Sequence, residues 1–339
     1  MKKGMIITLI VAGALLVLGI LLIITGLSLK SFHITKVFTE GGNMTERTVE
    51  LQDTVEEVSV SDLHGASIDI VCADTAKVDV KEPKDYTFTI TENAGKLSIT
   101  SEDHRGLFFR VSEPKLVVYL PAADYRALSI DSQAGYVKVA DGFTFQNATV
   151  KSSSGSVSFA SDVKEDLTVD VTSGSLTLNG VSAGNVKTES SSGGVTLEEI
   201  NCDSLSAKVI SGGIKATGIS ASGDLTFEGH SGGLHFTDIT CQNLKTTNTS
   251  GGTDLKNAII QEELSIANVS GGIKIENSDA KTIGLKATSG SIKAEFLTYK
   301  DFRADAGSGS VTLPEPMGEI NGTCVANTTS GSIKISVKD

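Results

Sequence analysis

From residue 128 onward the apolar and polar positions alternate in short bursts that return with a fixed phase. Val137, Val157, Leu176, Val195, Ile214, Leu234, Ile273, Ile292, Val311 and Ile333 each stand two residues after a glycine, and only Thr253 breaks the column. Two residues further on stand Val139, Phe159, Leu178, Leu197, Phe236, Leu255, Ile275, Leu313 and Ile335, with Ala216 and Ala294 between them. Alternation with period two predicts strands with one face turned inward. A second apolar column lies seven residues before the next glycine, at Leu128, Leu167, Val186, Leu205, Leu225, Leu244, Leu264, Ile283 and Phe302. A weaker third column, at Val181, Ile200, Ile219, Ile239 and Leu297, predicts a short third side or a bent corner.

The glycines that set the phase are Gly155, Gly174, Gly193, Gly212, Gly232, Gly251, Gly271, Gly290 and Gly309, at intervals of 19 or 20 residues. Gly135 precedes them by 20 and Gly331 follows by 22. A fixed period of this size predicts a solenoid. Stacked coils place each strand about 4.8 Å from its counterpart, so like side chains line up through the interior. The fold class expected is all-β, a β-solenoid (parallel β-helix) of about ten coils of 19–20 residues, preceded by one N-terminal transmembrane helix. The eleven glycines are its structural turn residues, because a corner needs positive φ and little bulk. A flexible Gly/Ser linker would not hold apolar residues in phase with every glycine. The leucine-rich consensus and the nine-residue calcium-binding repeat are both absent.

The first thirty residues form a different object. Lys2 and Lys3 precede an uncharged stretch over residues 4–29, closed by Lys30. As a helix it reaches roughly 36 Å, enough to cross a hydrocarbon core of about 30 Å. It is longer than a signal-peptide core and has no convincing cleavage site, so residues 1–30 are expected to be an uncleaved signal anchor. The flanking lysines predict a single-pass protein of the cell membrane, its N-terminus cytoplasmic and its body extracytoplasmic. Residues 31–56 read as a stalk, 57–127 as an irregular β region capping the solenoid, and 128–339 as the regular repeats. Within the cap region, Asn93-Ala94-Gly95 predicts a hairpin turn, and Leu107-Phe108-Phe109 is its most hydrophobic patch.

The formal net charge is −12. Such a balance argues against nucleic acid or an anionic membrane surface as the main partner. Motifs for zinc proteases, α/β-hydrolases, nucleotide and dinucleotide binding are absent, and His33, His64, His104, His230 and His235 are scattered. The serines of the Ser-Gly steps read as turn residues, on the expectation that no histidine and aspartate stand in phase beside them. Asp203, Asp224, Asp238 and Asp254 fall at different phases of the repeat, which argues against a polysaccharide-cleaving face. No catalytic, cofactor-binding or metal-binding residue is expected, and no cofactor. Cys202 and Cys241 share a phase but lie two coils apart, about 9.6 Å, beyond the Cα limit of about 7 Å for a disulfide. With Cys72 expected on the inward face of Ile68 and Ile70, and Cys324 in an inward column, four free thiols are predicted.

The step from Val117-Val118-Tyr119-Leu120-Pro121 to Leu128-Ser129-Ile130 and Gly135-Tyr136-Val137, followed by Ser-Gly-Gly and Ser-Gly-Ser repeats, resembles the bacterial putative-adhesin family of β-strand repeats, a domain of unknown function. The resemblance covers roughly residues 57–339. It implies a bacterial envelope protein and supplies no catalytic residues to carry over.

Two function classes follow. One is a non-enzymatic, membrane-anchored adhesin-like or scaffold protein whose partner is another envelope protein or a cell-wall polymer. The other is a membrane-tethered sensor or regulator of envelope stress, which must act through a partner because only three residues precede the apolar span. A polysaccharide-active β-helix enzyme is a distant third.

Overall fold

Each regular coil has three sides, and the coil that starts at Gly212 shows how the sequence makes them. Ile214 and Ala216 face inward on the first side, Ile219 and Ala221 on the second, and Leu225 and Phe227 on the third, all buried. The first two sides are one strand, Ile214–Ala221, bent at Gly218 with φ 68; the third is Asp224–Ser231, which returns to Gly232. The bend recurs six residues after six successive corner glycines, at Gly180, Glu199, Gly218, Asp238, Asn257 and Asn277, with φ between 49 and 68. The weak third apolar column is therefore a real side, with Val181, Ile200, Ile219 and Ile239 buried on it.

The computed structural model describes residues 44–52, 54–104, 113–315 and 317–338. The spanning helix expected over residues 4–29 and the Leu107-Phe108-Phe109 patch lie outside the described residues. What is described contains strands and no helix. Met44–Glu50, in the stretch that reads as stalk, is a strand antiparallel to Lys77–Pro83.

Coils stack in parallel and in register. Ile214 pairs with Leu234, Ala216 with Phe236 and Ile219 with Ile239, while Leu225 pairs with Leu244 on the third side. Thr253, the break in the apolar column, is buried and donates from Oγ1 to Asn268 Oδ1 at 2.9 Å. Asn268 in turn donates from Nδ2 to the Gly272 carbonyl at 2.9 Å. The exception is thus a buried polar pair that ties the interior to the corner, with its hydrogen bonds made as burial requires.

The stacking order departs from the chain order at both ends. Thr323–Ser330 lies between Thr282–Ser289 and Asp301–Ser308, and Ile333–Val337 lies between Ile292–Phe296 and Val311–Thr312. The last coil in sequence is therefore the last but one in space. The interval of 22 residues before Gly331 spans the return loop that makes this possible. That loop is fastened by Lys300, whose buried Nζ meets Asp279 Oδ1 at 2.6 Å and donates to the Asn321 carbonyl at 2.6 Å and Thr298 Oγ1 at 2.7 Å. At the other end, Glu57–Leu63 lies between Lys96–Asp103 and Asp124–Ser132, and Ser67–Cys72 between Lys115–Leu120 and Val137–Val139. Antiparallel strands then close this end: Tyr86–Asn93 pairs with Lys96–Asp103 through the Ala94-Gly95 turn, and Lys77–Pro83 pairs with Lys115–Leu120.

The corner glycines are the closest contacts in the stack. A Cβ on Gly212 would lie 2.2 Å from the Gly193 carbonyl oxygen, and one on Gly232 would lie 2.2 Å from that of Gly212. Gly212 also has φ 130, where side chains are strained. Gly212→Ala should cost at least about 2 kcal/mol, since it combines backbone strain with a clash against backbone. Gly180 has φ 66 and open space around it, and the same bend carries asparagine at 257 and 277. Gly180→Asn should be close to neutral. Urea midpoints of the two variants compare them directly, and equal shifts would show that the close approach is not limiting.

All four cysteines are free thiols; Cys202, Cys241 and Cys324 are buried, whereas Cys72 is exposed and not on the inward face expected for it. The reason is that the ladder from Ser67–Cys72 toward Val137–Val139 stops at Ile70, so Cys72 is paired on one side only. Burial pushes the thiols up, to about 11 for Cys202 and about 12 for Cys241 and Cys324. A disulfide-exchange reagent at pH 8 should titrate one thiol quickly in the folded protein and four after denaturation. Because these thiols hold their protons more tightly folded than unfolded, their contribution to stability is full below pH 9 and is lost as pH rises toward about 12. Melting temperatures taken from pH 8 to 11 should fall more for the native chain than for a variant with all three replaced by Ala.

Candidate functional site

The outward side chains form rows that run across the coils. Along the long third side, each residue four before a corner glycine faces solvent, giving Lys151, Asp170, Glu189, Lys208 and Glu228 in successive coils. Opposite signs recur along this row, as in the exposed pair Lys208–Glu228. Asp170 Oδ1 is buried without a hydrogen-bond partner, and burial followed by the charge of Glu189 raises its carboxyl pKa.

The four aspartates that fall at different phases each hold a side chain of an adjacent coil. Asp203 accepts from Ser222 at 2.9 Å, Asp224 from Asn243 at 2.7 Å and Asp238 from Asn257 at 2.9 Å. Asn257 in turn accepts from Asn277 at 2.9 Å, so the bend that needs positive φ is also laced by side-chain amides. Asp254 Oδ2 lies 3.0 Å from His235 Nδ1. The two stand in phase with each other, both three residues after their corner glycines, whereas the expectation concerned residues beside the corner serines. Sequence spacing could have shown it, because 254 and 235 differ by one period. The other ring nitrogen of His235 lies over Gly233, where an added Cβ would be 2.6 Å away. Among the described residues it meets no serine hydroxyl, so there the pair lacks the nucleophile of a Ser-His-Asp arrangement.

The corner serines lie one residue before the glycines, exposed, from Ser154 through Ser173, Ser192, Ser211 and Ser231 to Ser330. Their carbonyls accept from the glycine amides of the adjacent coil, as in Gly212 to Ser231 at 2.9 Å. All eleven predicted glycines have positive φ and form one column along a single corner, with Gly331 against Gly290 and Gly309 against Gly331. They shape the corner.

Several shallow features break the regularity of the faces. A groove of about 450 Å³ runs past Asp162, Lys164, Asn201, Cys202 and Asp203. An indentation of about 240 Å³ is lined by Lys256, Lys293 and Lys334 with Glu276, Asn277 and Glu295. There Lys274, hydrogen-bonded to Glu276, holds the glutamate below the usual carboxylate range, with Lys256 and Lys293 adding to the effect. Among the described residues no cluster of three or more histidine, cysteine or acidic side chains is arranged to hold a metal ion.

Several solved structures are similar to the chain. A putative adhesin of Parabacteroides distasonis is 14% identical, with 88% of this chain and 98% of that one covered and a TM-score of 0.46. A putative adhesin of Parabacteroides merdae is 10% identical over 88% and 98%, with a TM-score of 0.47. A putative lipid binding protein of Parabacteroides distasonis is 14% identical over the same shares, with a TM-score of 0.38. No curated protein matches the chain. Residues 55–234 and 219–339 each match the model of one family of β repeats, so that nearly the whole described stack is accounted for, and the chain belongs to the Toastrack DUF4097 family.

Proposed function

We propose that the chain is a non-enzymatic, adhesin-like or scaffolding protein of the bacterial cell envelope, held in the membrane by residues 4–29 with its body outside the cytoplasm. The observation that carries this reading is the distribution of chemistry over the faces: aspartates and amides are used to clamp one coil to the next, and the remaining polar groups are spread in rows. Such a surface presents similar groups at each coil, about 4.8 Å apart. It suits an extended partner, another envelope protein or a cell-wall polymer, better than a small substrate, which needs a concave site with convergent polar groups.

Two experiments test the proposal. Protease shaving of intact cells or protoplasts should remove the body of the protein, and a soluble secreted form beginning near residue 30 would overturn the anchor. Deleting one whole period, residues 213–232, should leave a folded chain that still binds the envelope fraction the native protein binds, because neighbouring coils are equivalent. Deleting residues 213–222 should instead misphase every later coil and abolish cooperative melting. If the whole-period deletion folds but no longer binds, the function sits in one coil and the distributed reading fails.

A further inference from the structure

The two ends of the stack differ in how they stop. The N-terminal end is closed by antiparallel strands, ending on Met44–Glu50, which carries three charged side chains. The C-terminal end stops on Asp301–Ser308, which is hydrogen-bonded to Thr323–Ser330 on one side and to no other strand among the described residues. Its inward residues Phe302, Ala304 and Ala306 are only half-buried, whereas Cys324 and Ala326, their counterparts one coil in, are fully buried. The inward side chains of the last strand are covered on one side only, beside a free strand edge of the kind that pairs with other chains.

The sequence of this edge is complementary to itself. Laid antiparallel against a second copy and centred on Ala304, it places Arg303 opposite Asp305 of the second copy, and Asp305 opposite Arg303, on the outward face. On the inward face it places Phe302 opposite Ala306 of the second copy, large against small. Moving the centre by one residue sets Arg303 or Asp305 opposite itself, which directly opposed like charges disfavour. Centres midway between residues would set inward residues against outward ones. A two-fold axis normal to the sheet at Ala304 keeps both interiors on the same side, which makes a closed, isologous dimer. Arg303 and Asp305 are both exposed, and Arg303 now leans on Asp301 of its own strand at 2.8 Å.

We propose that the Asp301–Ser308 edge is a homophilic docking surface, pairing two copies of this chain end to end in the register centred on Ala304. The N-terminal strands of the two copies then lie at the far ends of the joined stack. On the anchored reading given above, and resting on it, such a pair joins two facing membranes; the pairing itself does not depend on the anchor.

Charge reversal tests the register with the full chain purified in detergent and examined by sedimentation velocity. The native chain should be a dimer. Arg303→Asp and Asp305→Arg should each weaken the dimer about tenfold or more, because each sets two like-charged pairs face to face. An equimolar mixture of the two variants should dimerise again, since every acidic pair then meets a basic one, and the double variant R303D/D305R should dimerise alone. All variants should match the native chain in circular dichroism and melting, as both positions are exposed. A native chain that stays monomeric at every concentration up to its solubility overturns the proposal, as does a mixture that fails to restore the dimer or an edge that captures only a different protein. Beads coated with the full chain should cluster, and beads carrying R303D should cluster only with beads carrying D305R. Dimers in solution without clustering would refute the adhesive consequence and leave the pairing standing.

Discussion

The carbonyl oxygen of each corner glycine occupies the space that a Cβ on the next corner would need, about 2.2 Å away at Gly174, Gly212, Gly232 and Gly271. Everything regular in the molecule depends on that approach. It lets the backbone ladder run through the corner without a break, so that Gly212 donates to Ser231 and Gly232 to Ser250. It also fixes where each strand begins relative to the one beneath. Once the corner is in register, period-two alternation puts Ile214 under Leu234 and Leu225 under Leu244 with no further instruction. A bulkier corner would open one side and shift every inward residue after it.

A single coil cannot bury its own inward face, so stability is shared between neighbours in a nearly one-dimensional stack. The ends are where such a stack needs special measures. Here both ends interleave, and the consequence is a coupling between segments far apart in sequence. Asp301–Thr312 gains its ladder partner only when Thr323–Val337 is in place, because the latter fills the slot between it and the coil of Gly290. Lys300 holds the return loop across that slot, and its contact with Asp279 is a buried ion pair whose second partner, if left alone, would carry an uncompensated charge. The C-terminal end is thus assembled as a unit, whereas the middle coils can add one by one.

The middle coils were legible in the sequence because their cause is local: a glycine every 19 or 20 residues and apolar residues at fixed offsets from it. Spatial order is not a local property, and a period reports equivalence of coils without saying which lies beside which. The lone hint was the longer interval before Gly331, and only a structure turns that into an insertion. Cys72 was misplaced for a related reason, since alternation along Ile68 and Ile70 continues in sequence after the ladder beside it has ended. His235 and Asp254 were missed although their spacing equals one period. They lie three residues past the corner glycine, on the other side of the corner from the serines.

Clamps between coils also bear on function, because a polar group used to hold the next coil is not free to recognise a ligand. Asp203, Asp224, Asp238 and Asp254 are engaged in this way, each through a partner about one period distant. The acidic residues that suggest chemistry in the sequence are therefore largely structural in the fold. The Asp301–Ser308 edge is unengaged in another way, since among the described residues no following coil takes up its hydrogen bonds or covers Phe302. At such an end the backbone and side-chain interactions that join one coil to the next are still available to a second molecule, alongside the rows of side chains that the faces present.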